Sequence, residues 1–433
     1  MIKKVLIANR GEIAVRIIRT CKSMGIKTIA VYSKCDKDSY HVFLADEAIC
    51  IGGNDIKDSY LNINNIVSAA INTKADAIHP GYGFLSENYE FAKRVEENGL
   101  VFIGPTSDIL KIMSDKSNVK IKVKNMGVPV IDGQSYEDFS IKPNLDFPIM
   151  IKSKFGGGGK GIRVINDKDE FASKEKTIKE ELRGSFNESD LYIEKYINVY
   201  KHIEIQLIAD KYGNISALPE RDCSCQRKYQ KFIEESPSII KDKELINRIK
   251  ESAILIFKKL NYNNIGTVEF LLDKENNYYF LEINARIQVE HAVTEMVTDI
   301  DLVKEQIRMA DGLENKYKNI IKAKKYAIEC RINAEDPENN FLPSMGEVNI
   351  FNIPSGSNIR VDTYIYQGYN LKPYYDSLIY KIIAYGDNRK DTVKKLYNYL
   401  DEFIVFGIKT NINYLQNIID SKEFLNGSYS IFN

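Results

Sequence analysis

Apolar positions in the first part of the chain alternate between two rhythms. Short apolar runs at residues 5–9, 28–33, 77–80 and 101–104 read as strands, and residues 13–24, 63–71 and 89–97 between them carry helical spacing. A strand–helix–strand rhythm of this kind predicts a parallel sheet covered by helices up to about residue 112. Residues 114–135 read as a helical connector. Strands are expected at 147–152, 162–165, 191–197 and 202–207, and a helix at 244–259 from the spacing of Leu245, Ile249 and Ile256. Strands at 267–270 and 278–281 follow. From about residue 324 strands dominate, at 326–331 and 348–353 among others, with an amphipathic helix near 391–403. No internal repeat or low-complexity linker interrupts the pattern, so the parts are expected to pack as one body.

Alternation is strictest over nine residues, Glu282-Ile-Asn-Ala-Arg-Ile-Gln-Val-Glu290. As one extended strand this tract puts Glu282, Asn284, Arg286, Gln288 and Glu290 on one face and Ile283, Ala285, Ile287 and Val289 on the other. Glu and Asn oxygens suit a hard cation, which leaves an arginine and a second glutamate for an anion beside it. A half-exposed strand whose charges pair with each other is the simpler alternative. Glu269 faces opposite to Val268 and Phe270 on the preceding strand, so Glu269 and Glu282 can meet across a hairpin. Two acids brought together need a cation between them, or one must stay protonated.

Other stretches carry candidate chemistry. His79-Pro-Gly-Tyr-Gly-Phe-Leu-Ser-Glu-Asn88 follows a strand, where open α/β sheets place ligand loops, although an ordinary Pro-Gly turn explains it as well. The turn after the first strand, Asn9-Arg-Gly-Glu-Ile13, is not the glycine fingerprint of a dinucleotide site. Ser153-Lys-Phe-Gly-Gly-Gly-Gly-Lys-Gly161 lies between two expected strands. Its backbone N–H groups can approach phosphate oxygens, with Lys152 and Lys160 adding charge. No G-K-[ST] and no following helix are present, so it is not a P-loop, and a plain flexible hairpin is the alternative. Glu220 to Lys231 packs many polar groups into twelve residues, read either as an anion-handling segment or as a solvated loop.

Composition narrows the partners. Lys plus Arg and Asp plus Glu are 60 each, so there is no basic excess for nucleic acid. A chain of 433 residues is about three domains, and 44% hydrophobic residues suffice for full-sized cores. No apolar run approaches the ~18 residues of a membrane span and no secretory leader is visible, so a cytoplasmic protein with no membrane partner is expected. Of six cysteines, only Cys223 and Cys225 are close in sequence. Without a second pair at matching spacing, buried free thiols are a better reading than zinc.

Taken together, Ile7-Ala-Asn-Arg-Gly-Glu-Ile-Ala14, the 79–88 tract, the Gly156–Gly161 loop, Glu282–Glu290 with His291, and Glu329-Cys-Arg-Ile-Asn-Ala-Glu-Asp-Pro337 resemble biotin carboxylase over essentially the whole chain. That is the ATP-grasp component of acetyl-CoA carboxylase and related biotin-dependent carboxylases. The resemblance implies an α/β and α+β architecture: a Rossmann-like parallel-sheet domain at 1–113, an ATP-grasp domain at 114–323 with a mobile glycine-rich lid at about 135–200, and a C-terminal mixed-sheet domain at 324–433. It implies ATP with Mg2+ or Mn2+, bicarbonate activated as carboxyphosphate, and biotin as a carrier-linked substrate. It further implies a separate biotin carboxyl carrier protein, carboxyltransferase subunits, a homodimer and a place in fatty acid synthesis. No Ala-Met-Lys-Met tract for biotin attachment is present in the chain, which agrees with a separate carrier.

By the same resemblance Lys116, Lys152, Gly158 and Gly159 correspond to phosphate-side contacts, and Glu194, Lys195, Tyr196 and Ile197 to the adenine hinge. His202, Gln226 and Tyr229 stand at further nucleotide positions, and Glu269, Glu282 and Asn284 match the metal ligands. Lys231, Arg286, Gln288 and Val289 correspond to the bicarbonate site, Glu290 to its base, and Arg331 with Tyr82 to the biotin pocket. The chemistry asks for these types: bicarbonate needs a carboxylate to take its proton, phosphoryl transfer needs positioning and charge neutralisation, and a biotin enolate needs a fixed cation. Three positions depart from the family pattern. Tyr229 stands at a usual histidine, Phe155 replaces the first of five glycines, and Lys160 replaces an arginine. Weaker ATP binding with intact chemistry is the expectation. Three competing readings remain: the biotin carboxylase subunit of another acyl-CoA or pyruvate carboxylase, another ATP-grasp ligase of the carbamoyl-phosphate type, and a nucleotide-binding subunit without turnover. The second has no use for Arg331 in its Arg-Ile-Asn-Ala-Glu-Asp-Pro setting, and the third has no need of Glu290 or Arg286.

Overall fold

The first part of the chain forms a parallel sheet. In the computed structural model, which describes residues 1–136, 146–153, 163–171, 173–174, 191–317 and 319–431, five strands lie in the order Glu47–Gly52, Lys27–Ser33, Lys4–Ile7, Ala77–His79, Val101–Phe102. All four ladders are parallel. Parallel neighbours need crossovers, and helices Gly11–Ser23, Ile63–Asn72 and Tyr89–Glu97 supply three of them. The strand Glu47–Gly52 was not expected from the sequence. It is an edge strand with mostly exposed side chains, so it carries little of the apolar signal that marks the others.

A second, ten-stranded sheet carries the middle of the chain. Its main path runs Tyr278–Asn284, Asn264–Asp273, Val199–Ala209, Arg221–Arg227, Gln230–Ser236, Tyr326–Asn333, Leu378–Gly386, Ile359–Thr363. The antiparallel ladder between Gln230–Ser236 and Tyr326–Asn333 is the seam at which strands after residue 324 join those before it. One continuous sheet therefore presents Glu204, Glu269, Lys231 and Arg331 from four different strands. Helix Lys243–Lys259 covers it, capped by Asp242, whose side chain accepts from the Leu245 N–H at 3.0 Å. Leu245, Ile249, Ile256 and Phe257 are buried on that helix, and they join Ile203, Val268 and Phe270 in one core. A four-stranded antiparallel sheet, in the order Gly133–Tyr136, Leu191–Lys195, Ile149–Ser153, Arg163–Ile165, packs to one side.

Several expected boundaries move. In the connector 114–135, Ser114 ends the helix Ser107–Ser114 and a second helix covers Lys116–Asn125; the rest is not helical. The strand expected at 348–353 is broken into Gly346–Glu347 and Ile350–Asn352. Residues 220–231 are not a solvated loop: Arg221–Arg227 and Gln230–Ser236 form a hairpin, with Arg221–Gln226 buried and Lys228 and Gln230 exposed at its turn. Its two-residue turn holds Lys228 at φ 49° and Tyr229 at φ 64°, the left-handed pair of a type I′ turn. The nine-residue tract is the largest correction. The strand ends at Asn284, residues 285–290 turn, and helix His291–Thr298 begins directly after Glu290. Cys223 and Cys225 are buried free thiols, as expected.

Candidate active site

Where the strand stops, the polar residues fold back instead of marching away. In a continuous strand Asn284 and Gln288 would stand about 13 Å apart. Here both side-chain amides donate to the same oxygen, Glu269 Oε1, at 2.6 Å and 2.8 Å. The turn is held from outside by Glu87, which accepts the Ala285 N–H at 2.9 Å through one oxygen and Arg286 Nε at 2.9 Å through the other. The guanidinium of Arg286 also donates to Asn284 Oδ1 at 3.0 Å. The 79–88 tract and the 282–290 tract, far apart in sequence, thus meet at one turn.

Lys231 is the hub. Its ammonium contacts Glu204, and donates to Glu269 at 3.1 Å and Glu290 at 3.0 Å. Burial disfavours the charged ammonium, but the three carboxylates outweigh it and lift its pKa well above the usual lysine range. The same balance works in reverse on the acids. Burial opposes ionisation of Glu290, and Lys231, Arg331 and Arg221 overcome it, holding that carboxyl well below the ordinary range. Glu269 is likewise held low, by Lys231 and by His202. Glu204 is the exception: burial and the charge of Glu269 push it up to about 7 despite Lys231 and Arg221.

Arg331 closes the far side. It donates through Nε to Glu234 at 2.6 Å and through a terminal nitrogen to Glu290 Oε2 at 3.0 Å. Arg221 is fully buried beneath the hub, donating to Glu204, Gln206, Thr267, Thr294 and Gln288. Tyr82 is half-buried and donates to Glu12 at 2.6 Å, at the mouth of a cleft lined also by Arg10, Tyr364 and Asp376. Val289 is half-buried, and its carbonyl accepts from Lys381 at 2.7 Å.

The cation fit can be judged from the donors. Glu269 and Glu282 are direct partners in the hairpin register, as their facing predicted. Lys116 holds Glu282 at 2.7 Å, and Lys231 with His202 holds Glu269. Two carboxylates opposed across a ladder suit a hard cation such as Mg2+ or Mn2+, and Asn284 lies beside them with its Nδ2 toward Glu269 and its Oδ1 accepting from Arg286. His202, Glu204 and Glu269 also offer ligand atoms within 4.8 Å of one another. The Gln226 amide donates to His202 Nδ1 at 2.8 Å, which leaves Nε2 as the donor toward Glu269 at 2.7 Å.

The remaining expected residues line the route from the small sheet to the large one. Glu194 is buried and paired with Lys120 at 2.5 Å. Lys195 is exposed, Tyr196 and Ile197 half-buried, and this segment joins the strand Leu191–Lys195 to Val199–Ala209. Tyr229 sits half-buried in the hairpin turn close to Tyr196. Gly158 and Gly159, the Phe155 and Lys160 departures and the side chain of Lys152 lie outside the described residues. Sequence reading missed Glu87, Glu204, Arg221, Glu234 and Lys381, all of which touch expected site residues.

Comparison with known proteins meets this geometry. Three family models match: "Biotin carboxylase, N-terminal domain" over residues 1–110, "Carbamoyl-phosphate synthase L chain, ATP binding domain" over 115–317, and "Biotin carboxylase C-terminal domain" over 329–432. Biotin carboxylase 1 of Bacillus subtilis is 48% identical across 99% of this chain and 97% of its own length. The mitochondrial propionyl-CoA carboxylase alpha chain of pig is 45% identical across 98% of this chain and 59% of its own. A solved relative is the biotin carboxylase domain dimer of Hydrogenobacter thermophilus 2-oxoglutarate carboxylase, in complex with MgADP, ADP and bicarbonate. It superposes with a TM-score of 0.96 at 43% identity, covering 100% of this chain and 96% of its own. Alike to these relatives from end to end, and gathering opposed carboxylates and two fixed cations into one cluster, this chain belongs to the biotin carboxylase family of ATP-dependent ligases, which use ATP, Mg2+ and biotin.

Proposed function

We propose that the chain is the biotin carboxylase component of an acetyl-CoA carboxylase, acting in the cytoplasm as a homodimer on biotin held by a separate carrier protein. The arrangement of Lys231 between Glu204, Glu269 and Glu290, with Arg331 on the last, carries the chemical reading. The acetyl-CoA clause rests on the sequence resemblance, since matches of near-full length include both the Bacillus biotin carboxylase and the 2-oxoglutarate carboxylase domain. No helix among the described residues is long and apolar enough to cross a membrane. The domain limits 1–113, 114–323 and 324–433 belong to the same reading.

In this reading Lys116, Lys152, Gly158 and Gly159 hold phosphates, and Glu194–Ile197, His202, Gln226 and Tyr229 hold the rest of the nucleotide. Glu269, Glu282 and Asn284 would hold the metal, which would supply charge neutralisation for phosphoryl transfer. Lys231, Arg286, Gln288 and Val289 bind bicarbonate, and Glu290 takes its proton, so that the oxygen attacks the γ-phosphorus, the bond to the β–γ bridging oxygen breaks, and ADP leaves as carboxyphosphate forms. Glu290 can do this because it is kept ionised. Arg331, with Tyr82 at the mouth of its pocket, offsets negative charge on the biotin oxygen.

The test is ADP release by the purified chain under saturating bicarbonate, with and without free biotin, followed by reconstitution with the biotinylated carrier that co-purifies and its transferase. Biotin-stimulated, bicarbonate-dependent turnover ending in malonyl-CoA supports the reading. Carboxylation of a different acyl-CoA or keto acid would replace its acetyl-CoA clause, and loss of biotin dependence would overturn it whole.

A further inference from the structure

We propose that Lys381 is a positioning residue for Glu290, clamping the peptide that leads into the base; this rests on the reading of Glu290 given above. Lys381 has no exposed surface, yet carries a charge. Its ammonium donates to the Val289 carbonyl at 2.7 Å. That carbonyl belongs to the peptide plane shared with the Glu290 N–H, so fixing it fixes the orientation in which Glu290 leaves the chain. Glu290 stands at the start of helix His291–Thr298 without a side-chain cap, and its carboxylate is left free for the hub.

The register explains why this lysine is there. Lys381 on the strand Leu378–Gly386 lies directly opposite Arg331 on Tyr326–Asn333. Partners directly opposite share a face of the sheet, so the two cations emerge side by side. Arg331 grips the carboxylate of Glu290 at 3.0 Å, and Lys381 grips the carbonyl just before it. The base is held at both ends. The clamp is itself braced by charge, with Glu12 at 3.3 Å and Asp362 at 3.9 Å from the ammonium. Glu12 comes from the first helix and also accepts from Tyr82, so the lysine ties three distant parts of the chain to one peptide. Burial works against the charged lysine, and Glu12, Glu329 and Asp362 more than restore it. A buried ammonium serving only as structural filler would need those carboxylates but not the Val289 carbonyl.

The experiment is steady-state ADP release by Lys381→Met and by the double variant Lys381→Met with Glu12→Gln, each varied in bicarbonate and in ATP. The double variant removes a carboxylate left without its partner, so it decides the matter if the single variant does not accumulate folded. The clamp predicts that kcat/KM for bicarbonate falls about tenfold or more while the KM for ATP stays within about twofold, because one lost charge-assisted hydrogen bond is felt at the base alone. A bicarbonate constant within about twofold of the unsubstituted chain, or ATP and bicarbonate constants degraded together, would overturn it. Absence of turnover in the unsubstituted chain would overturn the underlying reading of Glu290, and the clamp with it.

Discussion

Lys231→Met removes the one cation shared by three buried carboxylates. Each acid keeps another donor. Glu204 retains Arg221, Glu269 retains His202, Asn284 and Gln288, and Glu290 retains Arg331. Breaking a buried pair costs about 3–5 kcal/mol, and the surviving donors place this variant at about 3 kcal/mol. The same magnitude in the transition state is a loss of about two orders of magnitude in kcat/KM for bicarbonate. The sharper signature is in pH. Glu290 must be ionised to accept a proton, and Lys231 is the largest of the influences that hold its carboxyl low. Removing Lys231 raises that pKa, so activity, present while the base is ionised, is lost at a higher pH as the solution is acidified. The assay is biotin- and bicarbonate-dependent ADP release, with kcat/KM referred to the bicarbonate anion from about pH 9 down to about pH 5.5, where the unsubstituted protein should show no acid limb of Glu290 and the variant should. An acid limb that does not move upward, whatever the fall in rate, would refute the assignment of Lys231 as the group that keeps Glu290 charged.

Three more outcomes are expected. Arg331→Lys keeps a charge but loses the fork that spans Glu234 and Glu290, so biotin-dependent turnover should fall about a hundredfold while bicarbonate-dependent ATP hydrolysis without biotin persists; equal loss in both assays would count against it. Tyr229→His should lower the KM for ATP, both by restoring a cationic ring and because histidine enters the left-handed region at φ 64° more readily than tyrosine; an unchanged KM rejects this. Gly81→Ala should lower stability by about 1–2 kcal/mol, read as a reduced Tm, because Gly81 has φ +65° and an added methyl would lie 2.9 Å from the Asn9 amide that bonds Pro80 and Tyr82. An unaltered melting curve would show that the turn relaxes freely.

The parts of the site that could be read in advance are those whose residue types are odd for where they sit. Glu282, Asn284, Arg286, Gln288 and Glu290 stood out because a solvated strand face rarely lacks Lys and Thr, and the Glu269–Glu282 pairing followed from period-two facing alone. Glu204, Arg221 and Glu234 escaped for the opposite reason. Glu204 alternates with Ile203 and Ile205, the ordinary look of an outward strand face, while Arg221 and Glu234 sit beside other charged residues in a tract that reads equally well as solvated, yet all three are fully buried. Burial of that face depends on which strands become neighbours, and the ladder from Gln230–Ser236 to Tyr326–Asn333 links residues about a hundred positions apart. Lys381 was out of reach for the same reason, since its meaning comes from lying opposite Arg331.

The misread strand end is the most instructive case, because the site exists only where the alternation fails as geometry. Had residues 284–290 stayed extended, Glu290 would stand about 20 Å from Asn284 and could not share Lys231 with Glu269. The turn that prevents this is held by Glu87, a residue 42% exposed in its side chain. Exposed ion pairs add little to stability, so Glu87→Gln should leave the Tm nearly unchanged. Its two oxygens nonetheless take two different donors, the Ala285 N–H and Arg286 Nε, and an amide can offer only one acceptor oxygen to them. The other donor must then face an N–H2 group, and Arg286 or the turn has to shift. Misplacement of about 1 Å costs up to about a hundredfold in rate, so a fall of about tenfold in kcat/KM for bicarbonate is expected, with the KM for ATP spared. Thermal melting and steady-state kinetics on the same preparation separate the cases. A variant that melts early and slows in proportion would make Glu87 a structural brace, and one that does neither would show that the turn is held by its own sequence.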